Sequence, residues 1–361
     1  MEKMENLPIK ETSPISLEET CVVGSVFFKD YQTEGSEGNV RGHEAIDSVT
    51  NAVKKGCKVA FVIAPDTDPK FIQDLKEELG NLGERSENVV WRIEDKEDGG
   101  YSGSRRQAVQ LARVAFPESR AYIMQELEKN LTGNYEDLVA ALSGNKALIM
   151  MNRGVNVPYN ENPWPDADHL GANLPPEQFW GERHQNIVMA NQEKAAGLTK
   201  ENHFWDRLNG TRVIRNEPME IGDVMINPSD LFLLKYEYIG VYSEAERTYK
   251  TDFYSASTYN MVPILESLGG EDQIAELPIK YLHSEKQRQQ EMSPGARTKF
   301  KEKRLKHKVD LPKINFDMVA NIKEWKKEGV WPSVLLEAIN GDGVLKINNF
   351  QEGEYSLTGV I

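Results

Sequence analysis

The sequence is poor in cysteine, in long apolar runs and in positive charge, and each shortage excludes a class of protein. Only two cysteines, Cys21 and Cys57, occur among the 361 residues, and both lie in apolar stretches. We therefore interpret them as small core residues rather than as a disulfide pair. The longest apolar runs, such as 21–28, are too short to form a transmembrane segment. No apolar segment of the secretory type follows the polar N-terminal residues, so we expect a cytosolic (cytoplasmic) protein.

Negative charge exceeds positive charge, since 57 acidic residues against 43 lysines and arginines give a net charge of −14. This balance argues against a general nucleic-acid-binding protein, because neutralising phosphates requires surplus positive charge. The segment from Lys286 to Lys308 is a local exception, and we interpret it as a solvated basic helix. The alternative is an anion-facing segment that covers a diphosphate.

Several catalytic signatures are also missing from the sequence. No Gly-Lys-Ser/Thr phosphate loop and no Gly-x-Gly-x-x-Gly turn opens the first helix, which argues against NTPases and dinucleotide-dependent enzymes. No Gly-x-Ser-x-Gly elbow and no Cys–His pairing indicates nucleophilic catalysis. No paired-cysteine motif indicates a zinc site.

Short β-rich runs alternate with amphipathic helical segments through the first part of the chain. The predicted strands are 21–28, 58–64, 88–93, 121–125 and 146–151. The predicted helices between them are 43–53, 69–80, 104–116 and 134–142, and Asp68 is the predicted cap of the second. Strands separated by helices need crossover connections, which favour a parallel sheet. We predict an α/β, Rossmann-like fold with a mostly parallel sheet and helices on both faces.

The composition predicts three regions along the chain. Residues 1–19 are polar and predict a flexible tail. Residues 20–285 contain the sheet, followed by a long loop at 154–177 that is rich in Asn, Pro and Asp, and long loops of this kind often bind ligands. Residues 286–361 begin with the basic segment and predict a C-terminal helical extension.

The most informative stretch is Gly99 to Ala108, which follows the third predicted strand; ligands bind beside the carboxyl ends of parallel strands. Ser104 fits the first position of a capping box, which would place Arg105 and Arg106 in the first helical turn. Positive side chains there are disfavoured by about 0.3–1 kcal/mol against the helix dipole, and a bound diphosphate would reverse that sign. Gly103 would permit close approach of the backbone to this ligand. The alternative is an exposed helix start with two solvated arginines.

Two glutamates follow the fourth predicted strand. Glu126 and Glu128 are two residues apart, so in an extended chain both side chains point the same way and can converge on one cation. A hard divalent ion, Mg²⁺ or Mn²⁺, held together with substrate phosphates fits that chemistry. His283, which follows a short apolar strand, would be a third ligand. The alternatives are a charged loop and an ordinary surface histidine, and the ammonium group of Lys129 would compete with a metal.

Two further segments carry polar groups that fit substrate binding. Asp66, after the second predicted strand, would accept hydrogen bonds from a base or a ribose. Trp205, Asp206 and Arg212 combine an aromatic ring, a carboxylate and a cation, and they would hold a sugar acceptor with Asp206 as general base. The alternative is a loop with one hydrogen-bonded aspartate.

The order of these segments resembles the glycosyltransferase-A (GT-A) superfamily, broadly its family 2-like members. The stretch 100–108 looks like the family's glycine-rich loop and arginine-bearing helix start, and Glu126 and Glu128 stand where the family has Asp-x-Asp. The segment 210–216 is similar to the acceptor-side segment that follows the sheet. His283 has a place comparable to the late metal-binding histidine of many relatives.

The resemblance covers roughly residues 21–283 and implies a specific chemistry. The donor would be a nucleotide diphosphosugar and the acceptor is unknown. A divalent metal would bridge the phosphates and stabilise the departing nucleoside diphosphate. On this interpretation the cationic start of the third helix and the acidic end of the fourth strand face one pocket, the first binding phosphates and the second a cation.

Two other functions stay open. A sugar-phosphate nucleotidyltransferase uses a related sheet, although the acidic segment 29–38 stands where its basic, glycine-rich signature would follow the first strand. The other alternative is a catalytically silent relative that acts as a binding or scaffold protein, because glutamate replaces aspartate at both acidic positions.

Overall fold

The computed structural model describes residues 13–94, 101–129, 135–152, 176–199, 205–207, 210–234, 261–278 and 293–344, together with Lys286 and Gln289. Within these ranges the chain has an α/β fold with a mostly parallel central sheet, as the sequence predicts. The β-rich runs and the helices between them occur in the predicted order.

The described strands are β1 (Thr20–Val26), β2 (Lys58–Ile63), β3 (Val89–Ile93), β4 (Ala121–Met124), β5 (Leu148–Asn152), β6 (Arg212–Arg215), β7 (Met219–Ile221), β8 (Val224–Ile226) and β9 (Ile274–Pro278). The central sheet that the described residues form has the order β3-β2-β1-β4-β6-β5-β9, and β7 pairs with β8 apart from it. Strand β6 runs antiparallel to both of its neighbours, whereas the other pairs of adjacent strands in this sheet are parallel.

The described α-helices are α1 (Glu37–Lys54), α2 (Pro69–Gly80), α3 (Tyr101–Ala115), α4 (Tyr135–Ala140), α5 (Pro176–Ala196), α6 (Pro228–Leu233), α7 (Met261–Ser267), α8 (Pro294–Glu328) and α9 (Ser333–Asn340). Helices α1 and α2 share a hydrophobic core with Val22 and Val59 on one face of the sheet, which we call the α1 face. Helices α3 and α7 share a second core with Val23 and Ala60 on the opposite face, which we call the α3 face. Neighbouring strand residues alternate between the two cores because successive side chains of a strand point to opposite faces.

The helix starts differ from the sequence-based predictions in two places. Helix α1 begins at Glu37 rather than at residue 43, because the Ser36 hydroxyl caps it by accepting a hydrogen bond from Asn39 N at 3.0 Å. Helix α3 begins at Tyr101, so the prediction that Ser104 is its cap is wrong, and the two following arginines lie in the second turn. The prediction that Asp68 caps α2 is confirmed, since its carboxylate accepts a hydrogen bond from Lys70 N at 3.0 Å.

Both ends of the described chain pack against the sheet domain. Within the predicted tail, Ile15 and Leu17 pack against the core of the α1 face. In the predicted C-terminal extension, Met318 of α8 and Leu335 of α9 are buried in the core of the α3 face. Among the helices of the described ranges, none combines the length and the hydrophobicity that spanning a membrane requires.

Candidate functional site

The strand order places a topological switch point between β1 and β4. After β1 the chain passes through α1, on the α1 face, to β2, which lies on one side of β1. Strand β4 lies on the other side of β1, and the chain reaches it through α3, on the α3 face. Such a reversal opens a crevice at the carboxyl ends of the two strands, where α/β proteins bind ligands. The two strand ends approach closely, because a Cβ atom on Gly24 of β1 would lie 2.6 Å from Gln125 O after β4.

The acidic turn after β4 is held in place by Gln125. Its buried Nε2 donates hydrogen bonds to Ser48 Oγ at 2.6 Å and to Lys129 O at 2.7 Å. Its Oε1 accepts a hydrogen bond from the Tyr135 hydroxyl at 3.1 Å. A further bond from Lys129 N to Glu126 O at 2.8 Å closes the turn. Sequence reasoning missed this role of Gln125, because nothing in the sequence distinguishes a buried amide at a strand end from an exposed one.

Arg105 of α3 contacts this turn directly. Its Nη2 lies 3.2 Å from Glu126 Oε1, and the arginine side chain is 3% exposed against 25% for the glutamate. Gly210, just before β6, completes the contact, since a Cβ atom there would lie 2.8 Å from Arg105 Nη2 and 2.9 Å from Glu126 Oε1. The expected proximity of the cationic helix and the acidic strand end is therefore confirmed, whereas their ligands stay predictions.

The neighbours of Arg105 are buried as well. Arg106 and Gly103 are both buried, so the alternative of two solvated arginines at an exposed helix start is wrong. The Ser104 hydroxyl donates a hydrogen bond to the carboxylate of Glu94, which follows β3. The carboxyl ends of β3 and β4 are thus both tied to the first turns of α3.

The second carboxylate of the turn faces a different helix. Glu128 Oε1 lies 3.8 Å from Nη1 of Arg41 on α1, on the opposite side of the sheet from α3. In the part of the chain that the structure describes, no three His, Cys, Asp or Glu side chains are grouped closely enough to bind a metal. His283 lies outside the described residues. Binding of Mg²⁺ or Mn²⁺ by these three residues stays a prediction.

The loops after β1 and β2 are joined through Asp68. This buried carboxylate accepts hydrogen bonds from Gln32 N at 3.1 Å and from Gln32 Nε2 at 2.8 Å. These bonds, the side-chain bond from Gln32 first among them, lower the pKa of Asp68. Asp66 is exposed at the carboxyl end of β2, and its carboxylate lies 2.5 Å from Lys29 Nζ. Its proposed contact with a ribose or base stays a prediction.

The α3 face of the sheet changes from apolar to charged near β6. Four residues that pair across adjacent strands form a row on this face: Met124 of β4, Arg212 of β6, Met150 of β5 and Glu276 of β9. The residues next to Arg212 and Glu276 along their strands, such as Val213, pack on the α1 face, so these two side chains lie on the α3 face. The Nη2 of the fully buried Arg212 donates a hydrogen bond to Arg207 O at 3.2 Å.

The segment 205–207 fits into this charged region. Trp205 Nε1 donates a hydrogen bond to Glu266 Oε1 at 3.0 Å, and Asp206 N donates to Glu276 Oε1 at 2.8 Å. Arg207 forms a fully buried ion pair with Glu193 of α5. Trp205 and Asp206 are therefore interior residues in this structure, and their predicted roles at an acceptor stay predictions.

Glu266 of α7 has an unusual protonation state within this region. Burial first and then the negative charge of Glu193 raise its pKa, while Arg207 and the bond from Trp205 act in the opposite direction, and the net result is a pKa of about 8. Glu266 is therefore largely protonated at neutral pH. Sequence reasoning missed Glu193, Glu266 and Glu276, because isolated glutamates in helices or strands ordinarily lie on the surface.

A separate open cavity of about 1000 Å³ lies beside the first turns of α1. Lys286 and Gln289 of the basic segment line it together with Glu34, Glu37 and His43. Two residues from the start of the basic segment thus share this cavity with carboxylates, and the alternative that the segment covers a diphosphate stays a prediction.

Comparison of the chain with protein-family models and with curated proteins found no match.

Proposed function

We propose that the chain is a glycosyltransferase with a GT-A-type donor site, which transfers a sugar from a nucleotide diphosphosugar to an acceptor hydroxyl. The observation that carries this proposal is the contact between Arg105 and Glu126, 3.2 Å apart at the switch point between β1 and β4. The proposed role of this buried arginine is to bind the diphosphate of the donor, because a guanidinium fork matches phosphate oxygens. Glu126 orients that fork, and Gly210 leaves room beside it.

In the net reaction, the acceptor oxygen forms a bond to the anomeric carbon of the sugar, and the bond from that carbon to the diphosphate oxygen breaks. The nucleoside diphosphate leaves with the electron pair, and Arg105 stabilises the charge that develops on it. Arg106, buried in the same helical turn, adds to the positive potential. Asp66 is the proposed partner of the ribose or base at the carboxyl end of β2.

The proton of the acceptor hydroxyl needs a base, and Asp206 is the proposed one. Asp206 precedes β6, whose antiparallel direction carries the preceding residues beyond the carboxyl end of β4. The bond from Asp206 N to Glu276 Oε1 fixes its backbone. Because Asp206 is fully buried, the hydroxyl would have to reach it inside a site closed to water.

Glu126 and Glu128 fit a divalent metal poorly in this arrangement. Glu126 faces the guanidinium group of Arg105 and Glu128 faces that of Arg41, so a metal ion would compete with these two arginines for the carboxylates. We therefore derive no step through a metal. The resemblance still implies Mg²⁺ or Mn²⁺, so nucleotide binding is to be measured both with and without Mn²⁺.

A thermal-shift experiment tests the proposal. We expect UDP or GDP and their diphosphosugars to raise the melting temperature, because a ligand at about 100 times its Kd stabilises the folded state by about 2.7 kcal/mol. Arg105→Ala should lose this shift. Arg113→Ala is the matched control: Arg113 lies at the other end of α3, where it pairs with Asp230 at 2.7 Å, and this variant should keep the shift.

The other outcomes separate the competing functions. Stabilisation by ATP or UTP but not by nucleoside diphosphates would indicate a nucleotidyltransferase. No stabilisation by any nucleotide, with or without Mn²⁺, would contradict the proposal and leave the silent binding protein. An equal shift in Arg105→Ala and in the wild type would show that the arginine is structural.

A further inference from the structure

The first half of helix α8 is strongly basic in a chain that is acidic as a whole. Between residues 297 and 308 seven residues are Lys or Arg and one, Glu302, is acidic, whereas the entire chain has 57 acidic against 43 basic residues. Phe300 and Leu305 are five positions apart, so they do not form an apolar face of the helix. A partner of this basic half would therefore be bound by charge rather than by apolar contact.

The basic half extends past the helix against which α8 packs. Gln192 Nε2 of α5 donates a hydrogen bond to Pro312 O at 2.9 Å, and Asn315 Nδ2 donates one to Met189 O at 3.4 Å. Higher residue numbers on one helix thus pair with lower numbers on the other, so the two helices run antiparallel. Helix α5 ends four residues after Gln192, level with a point four residues before Pro312. Residues 294–307 therefore extend about 21 Å beyond it, at about 1.5 Å per residue.

The exposure of the described side chains changes along α8 in the same way. Asn315 and Met318 are buried where the helix lies beside α5. Pro294, Thr298 and Glu302 are exposed in the part that extends beyond it. On the face of Thr298 and Glu302, which are four residues apart, the basic half is accessible to a partner.

The basic positions fall on two opposite sides of the helix. With 3.6 residues per turn, successive positions are about 100° apart, and each of the two groups of positions spans about 60°. A flat anionic surface such as a membrane would meet one of these groups and leave the other in solvent. We call the two groups the first basic stripe, which is Arg297, Lys301, Arg304 and Lys308, and the second basic stripe, which is Lys299, Lys303 and Lys306.

We propose that residues 297–308 of α8 bind double-stranded DNA in its major groove, without preference for sequence. This groove is about 12 Å wide and an α-helix with its side chains is about 10–12 Å across, so phosphates on both walls of the groove would face the two stripes. The major groove of double-stranded RNA is deep and narrow and fits a helix poorly. The inference is independent of the proposed sugar transfer.

The acidic remainder of the chain confines the contact to this part of the helix. Gly295, in the first turn of α8, lines the cavity beside α1 together with Glu34 and Glu37, whose charges would repel phosphates there. We therefore expect DNA along residues 297–308 and not at the start of the helix. The binding should depend strongly on salt, because each Lys or Arg that neutralises a phosphate releases counterions.

Fluorescence anisotropy of a short labelled DNA duplex, titrated with the full chain at salt concentrations from about 50 to 200 mM, tests the inference. We expect the logarithm of the binding constant to fall against the logarithm of the salt concentration with a slope between about −3 and −6. Lys301→Gln/Arg304→Gln in the first stripe and Lys303→Gln/Lys306→Gln in the second should each reduce the slope by about 2. Melting temperatures should stay at the wild-type value, because Gln is about as good a helix former as Lys and Arg.

Lys323→Gln/Lys327→Gln is the matched control in the last turns of the same helix. Both lysines are exposed, and this variant loses the same charge as the other two, so it should keep the wild-type slope. No binding of the duplex at the lowest salt concentration, or an equal loss in the control, would overturn the inference. A loss in only one of the two stripe variants would overturn groove binding, and a lower melting temperature of either would show that its side chains pair within the chain instead.

Two further probes separate DNA from other anionic partners. Vesicles that contain phosphatidylserine present a flat anionic surface, and an RNA duplex of the same sequence presents phosphates without an open major groove. We expect the DNA duplex to bind more tightly than either of them. Tighter binding to the vesicles, or equal binding of the two duplexes, would overturn the inference and leave the proposed sugar transfer untouched.

Discussion

The two faces of the sheet are built differently. On the α1 face the buried side chains between the sheet and helices α1 and α2 are largely apolar, and the buried polar groups Asp68 and Gln125 are hydrogen bonded. On the α3 face the core is apolar around α3, α6 and α7 but includes charged groups near the start of β6, such as Arg207, Arg212 and Glu266. One face thus stabilises the domain, whereas the other also carries groups that packing does not require.

Apolar residues of similar volume are often as stabilising as a buried ion pair, so stability alone does not explain the buried charges of the α3 face. Residues that go against the usual pattern of apolar core and polar surface are typical of functional sites. Arg212 of β6 lies one strand from β4, and Arg105 of α3 belongs to the same face. The contrast between the faces therefore agrees with a site on the α3 face, whose ligand stays a prediction.

Among changes to the charged part of the α3 face, the largest loss of stability is expected from breaking the ion pair between Glu193 and Arg207. Arg207→Met leaves a buried carboxylate without its partner, so we expect a loss of about 3–5 kcal/mol in the free energy of unfolding. Urea denaturation measures it. The double variant Glu193→Leu/Arg207→Met should recover most of the loss, because both charges are removed. Equal stability of Arg207→Met and the wild type would show that this pair is not buried as described.

The next effect is a pH dependence centred on Glu266. Its folded-state pKa of about 8 lies above the value of 4.5 for an ordinary glutamate, so between these values the folded state holds a proton that the unfolded state has released. Stability contributed by this group is present below about pH 4.5 and is lost as the pH rises towards 8, by roughly 1.4 kcal/mol per pH unit at most. Urea titrations between these pH values should show that Glu266→Gln removes this slope, and an unchanged slope would contradict the assignment.

The smallest loss of stability is expected from disturbing the contact between β1 and the residue after β4 at the switch point. Gly24→Ala places a Cβ atom 2.6 Å from Gln125 O, so we expect a loss of about 1–3 kcal/mol and weaker nucleotide binding as the turn after β4 shifts. Gly80→Ala is the control, since nothing lies within 4 Å of its added Cβ and a gain of about 0.4–1 kcal/mol is expected. Equal stability of the Gly24 variant and the wild type would mean that the strand ends are farther apart.

Sequence reasoning was accurate where one periodic pattern dominates. The apolar runs of β1 to β5 and the Asp68 cap of α2 are local signals, and the structure confirms them within a few residues. The start of α1 was missed because Gly38 and Gly42 are buried by close contacts with Asp30 and Tyr31 and carry no apolar signal. Local periodicity says nothing about such contacts.

The candidate site was predictable only in part for the same reason. The glycine-rich stretch and the acidic turn stand out in the sequence, and their proximity follows from the order of parallel strands. The antiparallel direction of β6 does not follow from its four residues, and the burial of Arg212 depends on its neighbours in the sheet. Charged residues that long-range packing buries cannot be distinguished from surface residues in a single sequence.

A crystal structure of the complex with UDP or GDP tests the central claim most directly. We predict diphosphate oxygens within hydrogen-bonding distance of the Arg105 guanidinium, at the switch point between β1 and β4. A diphosphate bound elsewhere, for example in the cavity between Lys286 and His43, with the contact between Arg105 and Glu126 unchanged, would contradict the claim.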